Sequence, residues 1–172
     1  MKYFIDFEAT QFSQEIISIG CYREDGEMFY SLVAPHSKNK VTNFITELTG
    51  ITKEMLANAP TSDEVFCKFS DWVLENDNNP EFYVWGDSDS DFLMHTFNKT
   101  SSLKARMIIR YMASALIDYS KKFEQKYLRK GFAEKISVIR ILDSRREKFK
   151  IGKAYERSQL YCVPLIVGRR QR

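Results

Sequence analysis

Residues 2–8, KYFIDFE, place two carboxylates inside an aromatic, apolar run, and this stretch constrains the fold more than any other. Side chains alternate along a strand, so Asp6 and Glu8 share one face and Phe7 takes the other. Two like charges on one face of a buried strand repel and lose hydration, a cost that a bound cation removes. The chain must therefore build a sheet around this strand and still leave its acidic face within reach of an ion. The neighbouring segments fit that demand. Residues 15–22 (EIISIGCY) are almost continuously apolar and read as an interior strand. Asp25-Gly26 is a tight-turn dipeptide, so residues 27–33 (EMFYSLV) return as a hairpin partner, ended by Pro35.

Helical signals come next. Residues 41–48 and 53–58 read as two short helices on either side of Thr49-Gly50-Ile51-Thr52. Thr61 and Glu64 have capping-box spacing, and Val65, Phe66, Phe69, Trp72 and Val73 follow at helical intervals. After a loop at 76–80, residues 81–85 (EFYVW) form a strand, and helices are expected at 89–98 and 103–112. A last strand at 116–118 and helices at 120–128 and 134–142 complete the pattern. The order predicts one α/β domain spanning 1–172, a mixed β-sheet flanked by helices. Residues 143–172 form an atypical tail in which the apolar rhythm fades.

Of the 172 residues, 44% are hydrophobic and 28% charged, with only 7 Gly and 4 Pro, which excludes a disordered or collagen-like chain. Apolar runs stop at four or five residues, so no segment spans a bilayer and no membrane partner is expected. The first ten residues carry carboxylates where a secretory signal needs an unbroken apolar stretch. Cys21, Cys67 and Cys162 are few, far apart and odd in number, which points to free thiols and a cytoplasmic location. The net charge of +3 divides into −11 over residues 1–98 and +14 over residues 99–172. Such a division suits a protein that gathers cations on one side and a polyanion on the other.

A second acidic cluster follows the strand at 81–85, where Asp87, Asp89 and Asp91 alternate in GDSDSDFL. One of them suffices to cap the helix. Three at the end of a strand exceed that need, because ligands in α/β sheets favour this edge. Carboxylates from two neighbouring strands make a hard-oxygen site for Mg²⁺ or Mn²⁺. Two such ions about 3.5–4 Å apart suit phosphodiester hydrolysis.

IDFEAT at 5–10, ELTGIT at 47–52 and WGDSDSDFL at 85–93 together resemble the DEDD superfamily of 3′–5′ exonucleases, the DnaQ-like group with a ribonuclease-H-like fold. The resemblance covers residues 1–142. It implies that Asp6 and Glu8 are the metal-binding pair of the first motif. In the second motif, the family's aspartate precedes an aromatic or apolar pair by three and four residues. Asp89 meets that register with Phe92 and Leu93, while Asp87 or Asp91 takes the place if the helix starts one step differently. By the same resemblance Ala9, Thr10, Leu48 and Thr49 border the terminal nucleotide, Asp118 is structural, and the partner is single-stranded nucleic acid, DNA or RNA.

The third motif of that family, a His or Tyr base followed by a fourth metal-binding Asp, is not found. Both histidines, His36 and His95, lie too early, and no Asp follows Asp143. Glu147, Glu156 and Tyr155 are the available substitutes. Two expectations follow: a divalent-metal exonuclease that is impaired, through a truncated or frameshifted C-terminus, or an inactive module that binds nucleic acid or protein on the same fold.

Overall fold

In a computed structural model of the chain, residues 1–36, 41–75 and 77–121 are described. Five strands, β1 (Lys2–Ala9), β2 (Ile16–Arg23), β3 (Met28–Leu32), β4 (Glu81–Val84) and β5 (Ile117–Asp118), form one sheet in the order β3-β2-β1-β4-β5. β1 pairs antiparallel with β2 and parallel with β4, so the acidic strand is the middle of a mixed sheet, as its sequence demanded. β2 and β3 form the expected hairpin, with Gly26 at φ 107° in the turn that Asp25-Gly26 announced.

Among the described residues, the helices α1 (Asn43–Thr49), α2 (Lys53–Ala57), α3 (Ser62–Leu74), α4 (Asp89–Phe97) and α5 (Leu103–Ala115) pack around it. The TGIT segment works as read, since Gly50 closes α1 at φ 78° and the Thr52 side chain caps α2. α5 runs three residues beyond its expected end at Met112. The helices expected at 120–128 and 134–142 fall almost wholly outside the described residues.

Alternation along β1 divides the core. Tyr3, Ile5 and Phe7 meet Val65, Phe66, Phe69 and Val73 of α3, Leu93 of α4 and Ile109 and Met112 of α5. The opposite face carries Phe4 packed with Tyr83, and a second cluster in which Ile17 meets Val41, Ile45, Ile51 and Leu56. Ile17 turns that way because the β1–β2 register slips between Glu8 and Ala9, where Ala9 faces Ile16 and Glu8 faces Ser18. A bulge of this kind bends the strand and re-aims its side chains.

The capping box at the start of α3 is complete, with Thr61 Oγ1 accepting from Glu64 N and Glu64 Oε2 accepting from Thr61 N at 2.7 Å. Thr61→Ala leaves one of these backbone donors without its partner. It should lower unfolding stability by about 1 kcal/mol, read as a shifted urea midpoint at unchanged slope.

Candidate active site

Asp6 and Glu8 are 7% and 6% exposed, on the face of β1 opposite α3 and α5. Their neighbours on β2 are small: Asp6 lies opposite Gly20 and Glu8 opposite Ser18. Gly20 in turn faces Tyr30 on β3. Burial, and then the Glu8 carboxylate, push the Tyr30 phenol above its ordinary pKa, so Tyr30 shares the electrostatic environment of the acidic pair. Sequence reading missed Tyr30. Only the hairpin register, which puts it in line with Asp6, could have shown its place.

Asp89 begins α4 and is 9% exposed, while Asp87 and Asp91 are exposed. Of the three alternating aspartates, Asp89 alone is turned inward, at a helix end whose free N–H groups favour an anion. Its helix is anchored by fully buried Leu93 and by Thr96, whose Oγ1 accepts from Ile16 N at 3.0 Å beside the bulge. α4 thereby leans on β1 and β2. Among the described residues, no group of three or more His, Cys, Asp or Glu side chains stands close enough together to hold a metal ion. The structure thus pairs Asp6 with Glu8 on one strand face and buries Asp89 at the start of the adjoining helix, short of the single three-carboxylate cluster that the motifs suggested. A buried carboxylate pair still has the chemistry Mg²⁺ or Mn²⁺ requires, because such ions are held by one or two carboxylates with water completing the shell.

The loop after Glu8 is tightly built. Thr10 is 2% exposed, and its hydroxyl accepts from Glu15 N at 3.1 Å and bonds Ser13 Oγ at 2.6 Å. The Thr10 side chain therefore shapes the loop, and Ala9 and the loop backbone are what it offers to a neighbour. Thr42 Oγ1 donates to Gln11 Oε1 at 3.0 Å, tying this loop to the start of α1. At the other end of α1, Leu48 is 44% exposed, whereas Thr49 is buried and its Oγ1 donates to Ile45 O while accepting from Ile51 N. Leu48 is the accessible member of that pair. His36 and His95 are both exposed, and His36 is bound through its backbone N–H to the buried Glu15 carboxylate at 2.9 Å.

Among the described residues 99–121, Arg106, Lys104 and Lys121 are engaged within the fold, while Arg110 is exposed. The Arg106 guanidinium lies 3.9 Å from the Phe97 ring centroid and donates to Phe97 O and Thr100 O, closing the end of α4. Lys104 pairs with Asp71, and Lys121 with Asp118 at 3.4 Å. α5 also packs on α3 and α4, across the sheet from Asp6 and Glu8. Lys122, Arg129 and Lys130 lie outside the described residues.

Asp118 is structural, as read. Its Oδ1 accepts from Gly86 N at 3.1 Å and Ser120 N at 2.9 Å, holding the end of β4 just before the Asp87–Asp91 run. Burial alone would raise its pKa, but the bonds from Ser120 and Gly86 outweigh it and leave the group below the ordinary carboxylate value. A depressed folded-state pKa stabilises the fold above the unfolded value, and that stability disappears as pH falls through the folded one. Asp118→Ala should therefore cost about 1–3 kcal/mol near neutrality. The difference from wild type should shrink in acid, as measured by urea unfolding across that pH range.

The exonuclease family model, RNase T type, matches residues 3–153. Over 47 residues the chain is 49% identical to the PolC-type DNA polymerase III of Bacillus cereus, and over 75 residues 43% identical to that of Clostridium perfringens. These matches cover 27% and 40% of the chain but only 3% and 5% of the two polymerases, so the chain spans a small fraction of these relatives. Among solved structures, it is similar to the nuclease domain of 3′hExo, a DEDDh family member bound to rAMP. That match has a TM-score of 0.51 and 26% identity, over 58% of this chain and 60% of that one. The chain belongs to the RNase T exonuclease family, within the DEDD superfamily of 3′–5′ exonucleases.

Proposed function

We propose that this chain is a divalent-metal-dependent 3′–5′ exonuclease acting on single-stranded nucleic acid. The observation that carries the reading is the buried Asp6–Glu8 pair on the middle strand of a member of this family. Asp6, Glu8 and Asp89 would hold Mg²⁺ or Mn²⁺, which supplies charge stabilisation to a phosphodiester undergoing hydrolysis. Ala9, Thr10, Leu48 and Thr49 would border the terminal nucleotide, with Leu48 giving an apolar surface to its base and the loop backbone giving N–H groups to its sugar and phosphate. That 3′hExo, a structural neighbour, is bound to rAMP supports a nucleotide as the ligand.

A second reading is an inactive module that binds nucleic acid or protein through the same fold. One observation favours it: no His follows His95 and no Asp follows Asp143, so the chain lacks the family's His-and-Asp third motif. Digestion of a 3′-labelled single strand with Mn²⁺, and in parallel with EDTA, separates the two. Stepwise shortening that EDTA stops supports the exonuclease. Strand binding without shortening in Mn²⁺ supports the module.

A further inference from the structure

Trp85 follows β4 directly and keeps 36% of its surface exposed. Its indole stands 6.4 Å from the Tyr119 ring. Tyr119 meets Tyr83 edge-on at 5.9 Å and Phe4 at 6.3 Å, and Phe4 stacks on Tyr83 at 5.4 Å. These rings form a ladder that rises from the buried side of the sheet and ends in an exposed indole. Phe4 and Asp6 are two residues apart on β1, so the ladder lies on the same face as the acidic pair. Phe4 pairs with Tyr83 in parallel register. Asp6 lies two residues further along β1 and Trp85 two residues past Tyr83, just beyond the end of β4, so both lie toward the same end of the two strands.

Asp6 therefore has bare Gly20 opposite it on β2, and the exposed indole lies at the same end of the neighbouring strand. A small cation makes no use of an indole, and a plain phosphate makes little. A nucleotide offers both a phosphate and a π face. The ring contact with Tyr119 holds the indole from behind, so less freedom is lost when a flat partner settles on it.

We propose that Trp85 is a stacking platform for a nucleobase of the strand whose 3′ end the carboxylates hold. The proposal rests on the exonuclease reading and deepens it. The bases nearest the 3′ end contribute through their faces, with little dependence on which base is present.

The chain has two tryptophans, and Trp72 lies under the Arg23 guanidinium within the other core, so Trp72→Phe leaves Trp85 as the only indole. Emission is followed while a single-stranded oligonucleotide is added, in Ca²⁺ and again in EDTA, with binding read separately by anisotropy of a labelled strand. An oligonucleotide of equal length with abasic 3′-terminal positions serves as control. The expected result is quenching that saturates with binding of the intact strand and is absent with the abasic one. Trp85→Ala should weaken intact-strand binding about five- to a hundredfold, Trp85→Phe less, and in the alanine variant the two strands should bind alike. If Trp72→Phe does not fold, the difference between wild type and Trp85→Phe reads the same signal. Strand binding with unchanged emission, or equal binding of intact and abasic strands by wild type, overturns the platform while leaving the exonuclease reading intact. Absence of any strand binding overturns both.

Discussion

Asp6→Ala should reduce Mn²⁺-dependent shortening of a 3′-labelled single strand by about 10²–10³-fold, the scale on which loss of one preorganised electrostatic group lowers kcat. Asp6 is the better target of the pair because it sits well inside β1 opposite Gly20, so alanine leaves the strand pairing and the neighbouring packing as they are. Its removal also takes a like charge away from Glu8, which relieves repulsion in the metal-free fold. Mn²⁺ should raise the melting temperature of wild type and raise that of Asp6→Ala only at much higher concentration. Equal rates in the two proteins would dissociate the cutting from this site. The wild-type rate has its own expected level. A missing general base costs about 10²–10⁴-fold, so wild type should be slow for a DEDD exonuclease. Fast stepwise shortening by wild type, lost in Asp6→Ala, would mean that an unrecognised residue completes the site; the sequence offers Glu147 or Glu156 as the acid and Tyr155 as the base.

The middle strand, the hairpin and the α3 cap were legible because each has a short-range physical cause. A two-residue turn, a capping box and an alternating run can all be read within ten residues of chain. Asp89 stands out from Asp87 and Asp91 through the family register that Phe92 and Leu93 supply, and it is the buried one of the three. What escaped depends on partners far away in the sequence. Tyr30 reaches the acidic face through two registers, and Trp85 joins the aromatic ladder through Tyr119, more than thirty positions further along the chain. Arg106 carried the opposite lesson. Its charge, counted in sequence, pointed to a polyanion, yet the end of a neighbouring helix and an aromatic ring had already taken its donors.

The largest effect on stability should come from the core face that the chemistry does not use. Phe69 is fully buried, and its ring centroid lies 5.2 Å from Phe29, 5.9 Å from Trp72 and 6.2 Å from Phe82. It joins α3 to β3 and β4 at once, so its loss opens a cavity whose walls belong to three elements and cannot all move inward together. Phe69→Ala should cost about 3–5 kcal/mol, a large part of the roughly 5–15 kcal/mol that holds a domain folded. Urea unfolding should show a much lower midpoint with little change in slope. Phe12→Ala is the matched control, since that ring is 78% exposed and its loss should change stability by no more than about 0.5 kcal/mol. Below the variant's own melting transition, strand binding should survive Phe69→Ala. Asp6, Glu8 and Trp85 stand on the other face, and β1 stays paired on both edges. A loss under about 1 kcal/mol would show that α3 settles onto the sheet to fill the space. Loss of strand binding in a variant that is still folded would show that the two faces are mechanically coupled through β1.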